Sequence, residues 1–295
     1  MESINQKKLN KFEKIKQKIV RRVCRYFNFP LVQQYKNFSI LLPPNHLLPI
    51  YQSQYPNYDR FLPHLAKYLD PSDVIVDIGA NIGDTLAGMV SQNSLSTYIC
   101  IEPDSSFFEF LENNIARMKG SISSLKVEPI QALVGKNISN VSLEGRGGTK
   151  HAVVDRDGHI KSRPLDEIIS SSTRIRLLKS DVDGFDYDVL DSSVSMIKKH
   201  QPIIFFECQC DYEYQKKSYF KTLQSLADIG YTDWTIFDNF GAFLLRTDDL
   251  NVINRLINYV WCQNTGKTTR TIYYYDILAV NEKESELIDC VLKDY

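Results

Sequence analysis

Two groups of residues in this 295-residue chain have the types and spacing to do chemistry. The first is a glycine-bracketed turn, Val74-Ile75-Val76-Asp77-Ile78-Gly79-Ala80-Asn81-Ile82-Gly83, continued by Asp84 and Thr85. Gly79 and Gly83 omit the Cβ atoms that would hold a ligand off the backbone, and a helix from about Asp84 would present unpaired amides to it. The second is a set of carboxylates near the ends of apolar runs, Asp181 and Asp183 in Lys179-Ser180-Asp181-Val182-Asp183-Gly184-Phe185 and Glu207 after Ile203-Ile204-Phe205-Phe206. These three would converge where adjacent parallel strands end. Such a cluster suits a general base with its orienting partners; an oxygen-ligand site for Mg²⁺ is the less favoured use. Lys179 would share a strand face with Asp181 and keep it ionised. The competing reading makes Asp181 the cap of a helix starting near Gly184.

The glycine turn departs from the dinucleotide fingerprint, because Asn81 stands where the second glycine would admit a pyrophosphate. Asn81 would instead bond a carboxylate or a ribose, and Asp77 would attract an amino group. The next apolar run, Tyr98-Ile99-Cys100-Ile101, ends in Glu102-Pro103-Asp104, which puts Glu102 19 positions after Gly83. An acid there grips free ribose hydroxyls and repels a phosphate. The expected cofactor contacts are Asp77, Gly79, Ala80, Asn81, Gly83, Asp84, Thr85, Glu102, Pro103, Gln131, Ala132 and Asp181. His151 is a candidate base on the acceptor side or a solvated loop histidine; His46, with Tyr51 and Tyr58, belongs to a lid over the cofactor or to surface packing.

These residues need elements to hold them. From Val74 onward short β runs (Val74–Ile78, Thr97–Ile101, Val127–Val134, Leu177–Val182, Ile203–Cys208) alternate with helical stretches from Asp84 and through Phe107–Met118. That alternation implies a mostly parallel, doubly wound sheet covered on both faces. Aromatic β runs at Trp234–Phe240, Ala242–Arg246 and Tyr273–Val280 predict an antiparallel C-terminal edge. The rhythm breaks at about 136–165, where Val141–Leu143 and His151–Val154 flank a glycine-rich stretch and predict a hairpin or loop insertion. Upstream, Tyr58–Tyr68 has helical spacing, and Pro49 predicts an irregular segment before it. The expected division is a basic helical extension (1–36), a lead-in or lid segment (37–73) and one α/β domain (74–295).

The chain resembles the FkbM family of S-adenosylmethionine-dependent methyltransferases. The resemblance rests on Val76 through Thr85, Ile101-Glu102-Pro103-Asp104, Pro164-Leu165-Asp166-Glu167, Lys179 through Phe185, and Pro202-Ile203-Ile204-Phe205-Phe206-Glu207. It implies a Rossmann-like class I methyltransferase fold and, most often, O-methylation of a hydroxyl on a saccharide or another natural-product acceptor. Asp183 departs from the pattern, since the family commonly has Glu before the glycine. The alternatives are a non-catalytic nucleoside-binding module and a methyltransferase of nucleic acid or protein.

Charge narrows the partners. The whole chain carries a formal charge of -1, which gives no polyanion signature, and no nucleic acid is expected as substrate. Residues 1–36, with ten basic and two acidic residues, hold a local excess of +8. There Leu9, Phe12, Ile15, Ile19, Val23 and Phe27 recur at helical spacing and predict an amphipathic basic helix. It would pack on its own domain, meet a partner, or lie on an anionic membrane surface. No signal peptide or run of about 18 apolar residues is visible, so a cytoplasmic protein is expected, peripheral at most to the inner membrane face. Six scattered cysteines fit a reducing compartment, with Cys208 and Cys210 as buried structural thiols. The sequence sets no oligomeric state.

Overall fold

The structure, a computed structural model, describes residues 11–145, 150–170 and 172–295, with side chains from residue 19 onward. Helix α1 (Lys11–Phe27) leads into an antiparallel ribbon of β1 (Leu31–Gln34) and β2 (Ser39–Leu42). Of the apolar stripe read from the sequence, Leu9, Phe12 and Ile15 lie outside the described side chains. Ile19, Val23 and Phe27 are exposed, together with Val20, Tyr26 and Phe29. The helix nonetheless meets the domain through Arg21, which donates to the carbonyl of His46 at 3.1 Å, and through Cys24, which packs on the core.

Two short helices follow, α2 (Leu48–Gln54) and α3 (Phe61–Ala66). Here the structure corrects the sequence reading. Pro49 falls in the first turn of α2, where a missing N–H costs nothing and the fixed φ favours the helix, so it starts a helix rather than preventing one. The second helix begins only at Phe61, because Asp59 turns the backbone left-handed (φ 55°) just before it.

The α/β series then runs β3 (Val74–Ile78), α4 (Asp84–Val90), β4 (Thr97–Ile101), α5 (Ser105–Ser121) and β5 (Lys126–Ile130). The predicted Val127–Val134 strand is split: β5 ends at Ile130, and β6 (Leu133–Val134) leaves the sheet to pair with β9 (Ser162–Arg163). Between them β7 (Val141–Glu144) and β8 (His151–Val154) form the expected hairpin; Arg146–Thr149, in its glycine-rich tip, lie outside the described residues. Next come β10 (Ile175–Ser180), α6 (Asp186–Ser192), α7 (Val194–His200), β11 (Ile203–Gln209) and α8 (Glu213–Asp228). The chain closes with β12 (Tyr231–Asp238), β13 (Phe243–Thr247), α9 (Leu250–Asn264), β14 (Tyr274–Asn281) and α10 (Ser285–Asp294).

The main sheet has the order β13-β12-β14-β11-β10-β3-β4-β5. Strands β11, β10, β3, β4 and β5 are mutually parallel, and β14 and β13 run antiparallel to their neighbours at the aromatic edge. Near-continuous apolar runs such as Ile203–Phe206 form the central strands because both faces are covered. One face packs Ile75, Leu177, Ile203 and Leu278 against α3, α4 and α5; the other packs Val76, Leu178, Ile204 and Ile277 against α6, α8 and α9. Asn114 of α5, wholly buried, donates to the carbonyls of Leu41 and Ile82 at 2.9 Å each. That single amide ties the β1–β2 ribbon to the glycine turn. Strand order reverses between β3 and β10, so their carboxyl ends leave a crevice where ligands of such sheets bind. Among the described residues no helix is long and apolar enough to cross a membrane.

Candidate active site

Strand register sets the chemistry of the crevice. In parallel β3 and β10, Asp77 lies directly across from Lys179. Both side chains are buried, and the ammonium sits 2.8 Å from Asp77 Oδ1 and donates to the Gly79 carbonyl at 3.0 Å. Burial works to lower the Lys179 pKa, but Asp77 and then Asp181 outweigh it and hold the ammonium above its ordinary value. Burial likewise pushes Asp77 up, opposed by Lys179. Asp181, two residues on and on the same face, is different: it is 49% exposed and 3.5 Å from the ammonium.

The loops after the strands are held by backbone geometry that few residues allow. Gly79 has φ 74°, and a Cβ there would lie 1.9 Å from the Asp181 carbonyl oxygen. Asn81 (φ 49°) and Asp183 (φ 53°) also sit in the left-handed region, where Asn and Asp are the side chains best tolerated. The Asp181 amide donates to Ile78 O at 3.1 Å, while Gly79 and Ala80 donate to Ile101 O, which fastens three strand ends together. Helix α6 starts at Asp186 with Phe185 as its N-cap and no side-chain cap, so Asp181 does not cap it.

Two cavities open from this crevice. The smaller, about 90 Å³, is walled by Glu102, Pro103, Phe107, Val182 and the inward face of the β7–β8 hairpin. Glu102 is buried, and its two oxygens accept from the amides of Asn81 and Asp104 at 2.8 Å each. A carboxylate oxygen keeps further lone pairs after one such bond, so Glu102 can still receive hydroxyl donors. Burial outweighs these amides and raises its pKa to about 7. Lys150 closes the outer side, paired to Asp104 at 2.5 Å and placed over the Phe107 ring at 5.3 Å.

The larger cavity, about 540 Å³, lies on the other side of the same strand ends. Asp59, Asp84, Asp181, Asp183, Glu207 and Asp276 line it, together with the aromatic rings of Tyr51, Tyr55, Tyr58, Phe240 and Tyr274. Glu207 on β11 faces Asp276 on β14 across an antiparallel pair. Burial, then Asp181, pushes both carboxyls above their ordinary range. Burial also takes Asp183 up, to about 7. Gly79, Asn81, Asp181 and Asp183 border both cavities.

The expected site residues are therefore only partly assembled. Asp181, Asp183 and Glu207 meet in the larger cavity; Gly79, Asn81, Glu102 and Pro103 meet in or beside the smaller, and Asp84 and Thr85 line the larger. Asp77 is sealed behind Lys179 and walls neither cavity; Ala80 and Gly83 are buried as supports of the turn. Because β5 ends at Ile130, Gln131 is exposed and reaches only the Pro103 carbonyl, while Ala132 is buried; Leu133 and Val134 take the wall. His151 is not brought to the carboxylates. Along β8 side chains alternate, so Lys150, Ala152 and Val154 face the smaller cavity and His151 turns outward. His46 and Tyr58 do line the larger cavity, and burial lowers the His46 pKa. Among the described residues no group of three or more His, Cys, Asp or Glu side chains is arranged to hold a metal. Sequence reasoning missed Asp59 and Asp276. Asp276 had a signal, since it is the only charge in the apolar run Tyr273–Val280.

A family model described as the methyltransferase FkbM domain matches residues 77–232, from the buried aspartate of β3 to the start of β12. The chain belongs to the FkbM methyltransferase family. Its sheet is the Rossmann-like α/β arrangement of class I methyltransferases. No curated protein matches the chain. Among solved structures it is similar to methyltransferase FkbM from Methylobacillus flagellatus KT, at 13% identity over 92% of this chain and 72% of that one, with a TM-score of 0.40. The plantazolicin methyltransferase BpumL in complex with SAH is 11% identical over 92% of this chain and 99% of that one, with a TM-score of 0.41. An rRNA methylase from Streptococcus thermophilus is 10% identical over 75% and 94%, with a TM-score of 0.41.

Proposed function

We propose that this methyltransferase moves a methyl group from S-adenosylmethionine to a hydroxyl oxygen of a saccharide or related natural-product acceptor. The observation that carries the reading is Asp181, a half-exposed carboxylate on the border of two cavities, 3.5 Å from the buried Lys179 ammonium. The donor supplies an electrophilic methyl on a sulfonium. The protein's task is to align the acceptor oxygen in line with it and to take the hydroxyl proton.

The residues of the smaller cavity fit the nucleoside part of that donor. Glu102 offers lone pairs to ribose hydroxyls, Phe107 offers a ring, and the missing Cβ of Gly79 leaves the backbone open. At about 90 Å³ the recess is below the roughly 300 Å³ of ordinary ligand pockets. Entry therefore requires the β7–β8 hairpin to yield at its Lys150–Asp104 link. The acceptor occupies the larger cavity, where Asp181 Oδ atoms receive its proton and Asp183 and Glu207 bound the approach. Mg²⁺ has no part in this reading.

Calorimetric titration with S-adenosylhomocysteine, followed by a labelled-methyl screen over glycan acceptors, tests the proposal. Asp181→Asn is expected to lower turnover at least 100-fold while the S-adenosylhomocysteine affinity stays within about threefold. Loss of that affinity with turnover retained would contradict the assignment.

The reading extends to α1, which would hold the enzyme at an anionic bilayer, the inner membrane face of a cytoplasmic protein. Six large apolar side chains between Ile19 and Phe29 are exposed beside Arg22 and Arg25. Apolar insertion and charge complementarity together give the two signals stable attachment needs. Co-sedimentation with phosphatidylglycerol vesicles, absent with phosphatidylcholine and abolished by Val23→Glu, is the expected result; equal recovery with both lipids contradicts it.

A further inference from the structure

We infer that the acceptor carries an amine that is protonated at neutral pH, so that the substrate class is an aminated saccharide or a similar amine-bearing polyol. The inference rests on the reading above, in which the donor takes the smaller cavity and the acceptor the larger.

Charge in the larger cavity is unbalanced. Six carboxyl groups line it, several of them driven towards the neutral form by burial and mutual repulsion, and the cations on its walls are Lys179 and Arg60. Lys179 is already engaged by Asp77, which lies outside the cavity; Arg60, bonded at 3.2 Å to the neutral Gln52 amide, keeps its charge and faces Asp59, but among the described residues one free cation against six acids leaves the balance acidic. His46, the remaining basic group, is held towards its neutral form by burial. An acidic lining alone would select nothing, but Glu207 is more specific. Its side chain is only 6% exposed, it borders the cavity, and its Oε1 has no hydrogen-bond partner among the described residues. An orphaned buried carboxylate oxygen is costly unless a donor arrives with the ligand. Its neighbour across the strand pair is Asp276, another acid; burial makes both costly to ionise, a cost that an incoming cation beside them would offset.

The donor's own positive charges do not account for this. Asp181 and Asp183 border both cavities and so lie within reach of the sulfonium, whereas Asp59, Asp84, Glu207 and Asp276 border the larger one alone. In the same cavity the rings of Tyr55 and Phe240 stack with centroids 3.9 Å apart, and those of Tyr51 and Tyr58 lie 5.1 Å apart. Aromatic rings and carboxyl groups lining one cavity are the combination that receives an ammonium. They also offer flat apolar surface to a sugar ring. The same lining repels phosphates, uronic acids and nucleic acid.

The test uses the full chain saturated with S-adenosylhomocysteine at pH 7.0. Methyl glucosaminide, methyl glucoside and methyl glucuronide are compared as probes by ligand-observed NMR titration. The glucosaminide is expected to bind at least tenfold more tightly than the glucoside, and the glucuronide less tightly than either. Asp276→Asn should reduce the amine preference several-fold with S-adenosylhomocysteine affinity within twofold. Asp59→Asn, which keeps a side chain suited to its left-handed backbone, repeats the test at a position independent of the sheet. S-Adenosylhomocysteine binding without any preference for the amine overturns this inference alone. Failure of the protein to bind S-adenosylhomocysteine overturns the proposed function beneath it.

Discussion

Replacing Lys179 by Met removes one buried cation and tests how the crevice is built. Two carboxylates compete for that cation, and the distances rank them. Across 2.8 Å to the wholly buried Asp77, attraction at an effective dielectric constant of about 20 is about 6 kcal/mol. Asp181, at 3.5 Å and half in water, approaches the bulk-solvent value of about 1 kcal/mol. Asp77 is therefore the structural partner. Breaking a buried pair from one side costs about 3–5 kcal/mol, because the remaining charge is stranded. For a chain of this size the expected loss in Tm is roughly 5–8 °C. The stranded Asp77 would escape by binding a proton, which raises its folded pKa above the unfolded value of about 4. The deficit of Lys179→Met should then shrink as pH falls from 8 to 5.5. Adding Asp77→Asn should recover at least about 2 kcal/mol, since no charge is left unpaired. Urea denaturation of the wild type, both single variants and the double variant at two pH values closes this cycle. A loss under 1 kcal/mol for Lys179→Met, or a double variant as unstable as the sum of the singles, would refute the assignment of Asp77 as the partner.

Gly79→Ala is expected to abolish S-adenosylhomocysteine binding in calorimetry and to lower Tm, because the new Cβ would collide with the Asp181 carbonyl in a left-handed backbone; binding within threefold of wild type would remove the glycine from the site. Stability should also fall as pH rises. Burial raises the folded pKa of Glu102 and Asp183 to about 7 and of Asp186 to about 8, so the native state holds extra protons above the unfolded range near 4. The stability linked to those protons is complete below about pH 4 and is lost as pH climbs through 7 to 8. Thermal melts between pH 5.5 and 8.5 should show Tm declining, and Asp183→Asn, compatible with its φ of 53°, should flatten the decline; a rising Tm contradicts the sign.

What the sequence made legible follows from how local each signal is. The strand-turn-helix at Val74–Gly83 was readable because glycine spacing, a β run and a helix start fall within about a dozen residues. The parallel series followed from alternation, and Asp181, Asp183 and Glu207 from acids ending apolar runs. Each of those is a statement about neighbours in the chain. Sequence proximity pairs Lys179 with Asp181, yet register sets it opposite Asp77, 102 positions away in the chain. Register is a property of two strands and cannot be read from either. The same reason hid the acidic face of the larger cavity: Asp276 becomes a site residue only because β14 inserts antiparallel between β11 and β12 and lays it beside Glu207. Asp59 needed the left-handed turn before α3, for which Tyr58-Asp59-Arg60 gives no local cue. His151 is the opposite case: its chemistry suits a base, but its parity on β8 turns it away from the cavity, as the solvated-histidine alternative has it. The glycine turn and Glu102, where the proposal puts the donor, are thus written in contiguous motifs, whereas the larger cavity, where it puts the acceptor, is assembled from strands far apart in sequence. Substrate specificity built that way can change through single acids on β14 or the segment before α3 while the glycine turn and its helix stay as they are.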